Sequence, residues 1–175
     1  MKYGNPAWAL SLTALLAFGP ASATDDPMAP LAFLAGHCWT TTFEDGRHVD
    51  THCYEWMHDG KQLRDRHVVT GDDPQYRGET IYAWHGGRKR IEYRYWNSQG
   101  GQSDGYVAAG ADGTIRFLDD HFVEPDGAAY DFASELTRPD ETHYRMVVKN
   151  LDAGTWREIS TLVFERGVLQ AGAPQ

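Results

Sequence analysis

Three short stretches concentrate the side chains able to move a proton or grip a polar ligand. They are His48-x-Asp50-x-His52, Asp65-x-His67 and Tyr93-x-Tyr95. A spacing of two places each set on one face of a β-strand, because side chains alternate across an extended chain. Histidine beside a carboxylate is the usual acid–base pair near neutral pH. His48 and His52 are four positions apart, about 13 Å along a strand, too far for one metal ion. No metal and no cofactor is therefore expected. The chain carries no Ser-His-Asp order, phosphate loop, two-cysteine metal motif or zinc-protease motif.

A hairpin has to position these groups. Glu44-Asp45-Gly46-Arg47 interrupts a run of β-branched and aromatic residues, and Asp-Gly favours a two-residue hairpin loop. With Asp45 and Gly46 as that loop, Trp39 lies opposite His52, Phe43 opposite His48, and Cys38 opposite Cys53. The two cysteines, the only ones in the chain, are expected to form a disulfide. Closing a loop of about 15 residues stabilises the fold by roughly 3 kcal/mol. One hairpin face carries Trp39, Thr41, Phe43, His48, Asp50, His52, Tyr54 and Trp56, and its aromatic character makes it the expected interior. The next strand offers two choices. Leu63, Asp65, His67 and Val69 face in, or Arg64 and Arg66 do and hold a carboxylate. With the first choice, the candidate ligand-binding residues are Trp39, His48, Asp50, His52, Tyr54, Trp56, Asp65, His67, Tyr93 and Tyr95. The competing reading makes the histidines ordinary hydrogen-bonded residues and the aromatics plain core.

Beyond the first hairpin the same texture continues, with strands expected over about 37–44, 48–57, 62–70, 77–85, 90–97, 103–109, 114–119, 128–137, 141–149 and 155–165. No long stretch has an apolar period of 3.6, so no major helix is expected. Short turns rich in Gly, Asp and Pro make neighbouring strands antiparallel. Ten short strands in one unit must curl closed or split. The expected fold is all-β, a single antiparallel up-and-down barrel of about ten strands, with a β-sandwich as the runner-up. Leu31 to Ala35 is expected to form a helical turn plugging one end.

Residues 1–23 read as a cleavable secretory leader: Lys2, an apolar run from Ala7 to Phe18, then Ala21-Ser22-Ala23. A linker over 24–30, a barrel domain over 31–167 and a tail over 168–175 follow. The apolar run is too short to span a bilayer, so the mature chain is expected to be soluble and periplasmic or secreted. The formal charge of −9 falls to −10 once Lys2 leaves, which argues against nucleic acid and anionic membrane surfaces as partners.

The block Phe33-Leu34-Ala35-Gly36-His37-Cys38-Trp39, with "PLAFLAGHCWTTTFEDG" and "CYEWMHDGKQLRDRHVV", resembles a bacterial group of exported lipocalin-like (calycin) domains. The group has no settled activity. The resemblance implies a barrel with Trp39 near its closed end, although Thr40-Thr41-Thr42 stands where related chains often have a small residue. A more distant resemblance to haem-binding nitrobindin barrels implies a late histidine as haem ligand, for which His143 is the nearest candidate. The functional expectation is a binding module for a small, largely apolar molecule with one polar end. The alternatives are a small barrel enzyme (isomerase, cyclase or hydrolase) using His and Asp, or a filled accessory barrel with no site.

Overall fold

The computed structural model describes residues 26–167. The leader over 1–23, the first two linker residues and the tail over 168–175 lie outside the described residues. Ten strands, β1 (Cys38–Thr42), β2 (Val49–Met57), β3 (Gln62–Thr70), β4 (Tyr76–His85), β5 (Arg90–Asn97), β6 (Gln102–Ala109), β7 (Ile115–Val123), β8 (Ala129–Thr137), β9 (His143–Asp152) and β10 (Thr155–Gly167), form a closed barrel. Each strand pairs antiparallel with its neighbours in sequence, and β1 closes the ring against β10. Closure removes the exposed edges that a sheet of ten short strands would otherwise leave.

The first hairpin has the expected register, with Trp39 opposite His52 and Thr41 opposite Asp50. Its loop has four residues rather than two: the last ladder bond runs from the Phe43 N–H to the His48 carbonyl. Asp45 shapes the loop, its carboxylate accepting from the backbone N–H groups of Arg47 and His48. Widening a loop by one residue on each side leaves the register unchanged. Cys38 and Cys53 are opposite each other and disulfide-bonded, as expected. Such a bond fits an oxidising, non-cytoplasmic compartment.

The two ends of the barrel differ. At one, a short 3-10 turn (Ala29–Leu31) and the residues up to Ala35 form a plug that buries Met28, Leu31 and Leu34 almost completely. The plug meets a floor that includes Trp39, Tyr54, Leu63, Tyr144 and Phe164. The indole N–H of Trp39 donates to the Leu34 carbonyl, tying strand to plug and satisfying the one polar atom of a fully buried ring. At the other end the inward residues become polar or less tightly packed, and the barrel opens.

β7 runs longer than expected. Asp119 and Asp120 read as a strand end, yet the strand continues to Val123 through a bulge with Asp119 at φ 53°. One extra residue inverts the alternation, and Asp120 joins the wall of the open end. The same extension carries His121 onto the strand, where it pairs with Asp131 on the exposed outer face.

Candidate functional site

The inward set of β2 and β3 builds a buried polar chain just above the floor. Asp50 and Asp65 are 6% and 3% exposed, respectively. His52 and His67 are opposite each other on β2 and β3, with ring centroids 4.5 Å apart. Arg64 and Arg66 face outward, where Arg64 pairs with Glu79 and Glu55 and Arg66 with Glu55. Of the two choices for β3, Asp65 and His67 inward is the one realised.

Carboxylates only accept, so the chain of bonds has a direction. His52 donates from Nδ1 to Asp65 Oδ2 at 2.7 Å and from Nε2 to Asp50 Oδ2 at 3.1 Å. Both ring nitrogens act as donors, which is the imidazolium form. Burial alone would lower the His52 pKa, but Asp65 and Asp50 on either side outweigh it and push it up to about 10. Burial likewise opposes charge on Asp50, but His52, with His67 beside it, holds that carboxyl well below the usual range. His67 donates from Nδ1 to Asp50 Oδ1 at 3.3 Å, leaving Nε2 to accept from the Tyr95 hydroxyl at 3.2 Å. Tyr95 in turn bonds to the Tyr76 hydroxyl, which accepts from the Asn97 amide at 3.0 Å. Burial, with the Tyr76 hydroxyl next to it, pushes the Tyr95 phenol up, so it stays protonated.

Tyr76, Tyr95 and Asn97 also line a cleft of about 640 Å³ in the open end, with Phe122, Phe132 and Tyr130 as an aromatic wall. Gln99, Ser103, Ser134, Asn150, Asp120 and Glu124 supply further polar groups, and among the described residues no Lys or Arg lines it. Burial pushes the Asp120 carboxyl up, against the pull of the Ser103 and Tyr93 hydroxyls close by. A neighbouring recess of about 540 Å³ shares Ile159 with this cleft and includes Phe43, Val69 and Leu162.

The ten expected site residues therefore separate. Asp50, His52, Asp65, His67 and Tyr95 come together in one network. His48 lines the neighbouring recess and bonds to Asp45 and Asp72, which raise its pKa. Trp39, Tyr54 and Tyr93 are packed into the floor, and Trp56 is 37% exposed. His143 stands next to an inward Tyr144, pairs with Asp140 and is partly exposed, so it does not suit a haem ligand inside the barrel. Four residues were not anticipated. Tyr76 lies one position before the expected strand, and Asp120 follows the bulge. Asn97 was legible, since it shares a face with Tyr93 and Tyr95. Gly78 pairs with His67, and a Cβ there would stand 2.2 Å from His67 Nε2 and 2.5 Å from the Tyr95 ring. The missing side chain makes room for the His67–Tyr95 contact.

Asp50, His52 and His67 each offer one ligand atom, all within 4.8 Å of one another, a grouping across two strands that spacing along one strand does not reveal. At the closed end, a cleft of about 490 Å³ lies beside the plug, lined by Pro30, Phe33 and Arg138. It contains no histidine, and the Arg138 guanidinium covers the Phe33 ring at 5.1 Å. No protein-family model matches the chain, and no curated protein compared with it gives a match.

Proposed function

We propose that this chain is an exported, lipocalin-like binding barrel that takes a small, largely apolar molecule into its open end. The supporting observation is the 640 Å³ cleft, with an aromatic wall on one side and, on another, the Tyr76 and Tyr95 hydroxyls, the latter bonded to His67 behind it. Such a mix, mostly apolar with a few convergent polar groups, is the usual character of a small-molecule site. The ligand's polar end would meet the Tyr76 and Tyr95 hydroxyls and the Asn97 amide. With Asp120 and Glu124 in the lining and no Lys or Arg among its described residues, that end is neutral or cationic rather than a carboxylate. Export rests on the leader-like residues 1–23 and on the disulfide.

The test is a fluorescence titration with N-phenyl-1-naphthylamine, an apolar amine probe. One probe per chain should bind, and Ser134→Trp, which fills the cleft, should weaken binding at least roughly tenfold, about 1.4 kcal/mol. No binding, or binding untouched by Ser134→Trp, would contradict the proposal.

One observation favours a second reading. Asp50, His67 and Tyr95 form a carboxylate–imidazole–phenol relay that opens onto the cleft, the geometry of an acid–base site. In an isomerase, cyclase or hydrolase of that kind, Tyr95→Phe would abolish turnover and leave probe affinity within a few fold. In a pure binding module it would change affinity alone.

A further inference from the structure

We infer that Asp50, His52 and His67 form a binding site for one divalent transition-metal ion, Zn²⁺ by donor type, inside the barrel. This inference does not rest on occupancy of the cleft. Two imidazoles and one carboxylate are a donor set common to catalytic zinc and non-haem iron sites. Asp50 reaches the two imidazoles with its two oxygens, Oδ2 at 3.1 Å from His52 Nε2 and Oδ1 at 3.3 Å from His67 Nδ1, so an ion between the rings would take the carboxylate through both oxygens or, through one, with one edge already of the right length. Ligands about 2.0–2.1 Å from a tetrahedral ion lie roughly 3.3–3.4 Å apart. The third edge, between the imidazoles, is no more than 4.8 Å and closes by rotation of rings that are already adjacent.

The outer partners are also in place. A metal-bound imidazole nearly always donates its other N–H to a carboxylate, a carbonyl or a hydroxyl, which fixes its orientation. His52, releasing its Nε2 proton to solvent as the ion binds, would keep its Nδ1 proton and donate it to Asp65, at the present 2.7 Å. His67 with Nδ1 on the ion would donate from Nε2 to the Tyr95 oxygen, at the present 3.2 Å, with Tyr95 turning its own proton towards Tyr76.

Charge points the same way. Asp50 and Asp65 are deeply buried, and among the described residues their ion-pair partners are His52 and His67, with no Lys or Arg. Asp65 Oδ1 is buried with no hydrogen-bond partner at all. Two buried carboxylates balance one divalent ion. Both imidazoles retain some exposure, 17% and 13%, which leaves room for a fourth ligand.

The experiment uses the exported chain without a histidine tag, stripped by a chelator, then titrated with Zn²⁺ by calorimetry and with Co²⁺ by visible absorption. One ion per chain is expected, with the intense visible bands of four- or five-coordinate Co²⁺. Asp65→Asn should weaken binding about 10- to 100-fold through the outer partner, and His67→Ala by more. His121→Ala, on the outer face, should leave it unchanged. If His67→Ala does not fold, Asp65→Asn and the wild-type Co²⁺ spectrum decide. Lack of stoichiometric binding, a weak octahedral Co²⁺ spectrum, or affinity indifferent to Asp65→Asn and lost with His121→Ala would overturn the inference. The naphthylamine titration reads the cleft separately, so the two proposals fail independently.

Discussion

His52 is held between two buried carboxylates, and that placement decides what its removal costs. Taking it away leaves Asp50 and Asp65 facing each other in a poorly hydrated interior, where an uncompensated buried charge costs about 3–5 kcal/mol. His52→Ala should therefore lower the unfolding free energy by that amount in denaturant titration. The exposed turn residue His58→Ala should stay within about 0.5 kcal/mol. Equal effects would mean the carboxylates are solvated. Asp120 makes an opposite prediction. Its carboxyl is raised above its unfolded value by burial, so the folded state binds the proton more tightly than the unfolded chain. Its charge thus opposes folding at neutral pH, and the penalty fades as pH falls through the folded pKa. Asp120→Asn should raise the melting temperature at pH 7 more than at pH 4, as calorimetry at both pH values would show. At this scale the sequence revealed one face well. Alternation groups Asp50 with His52, Asp65 with His67, and Tyr93 with Tyr95, but leaves open whether Asp65 and His67 or Arg64 and Arg66 turn inward on β3. Asp120 was hidden because a bulge inverts the alternation, and Tyr76 because a five-residue turn blurs where β4 begins.

Strands position these groups through register, and register was the most legible feature of the chain. The Asp45-Gly46 turn placed Cys38 opposite Cys53 and Trp39 opposite His52 even though the loop is wider than expected, because symmetric widening leaves pairing intact. With that face of β3 inward, Asp65 and His67 were expected beside the first hairpin's histidines, and the structure pairs His67 with His52. Gly78 on β4 is the third partner in that layer. Gly78→Ala alters no polar atom, but its methyl group would collide with the His67 ring and Tyr95. Overpacking of this kind costs about 1–3 kcal/mol, and the proposed Zn²⁺ affinity should fall with it. A Gly78→Ala protein as stable as wild type would show that the ring contacts are not tight. The plug offers a simpler check: Leu34→Ala, at a site 1% exposed, should cost about 2–5 kcal/mol.

For the whole molecule, the question is how a closed barrel divides between core and site. The floor is filled by the plug, Trp39, Tyr54, Tyr144 and Phe164, which gives the barrel its stability from one half. The other half is left with an aromatic wall, polar groups and a cleft. Composition could announce the aromatics but not apportion them, since Tyr54 and Tyr95 look alike in sequence and differ only in height along the barrel. The Asp–His network lies at the boundary between the halves. The most direct measurement is two-dimensional NMR of the isotope-labelled chain titrated with N-phenyl-1-naphthylamine. Shift changes should gather on Tyr76, Tyr95, Phe122 and Phe132, with His67 following through Tyr95. Changes gathered instead around Pro30, Phe33 and Arg138 at the closed end, or none at all, would contradict a binding site in the open half.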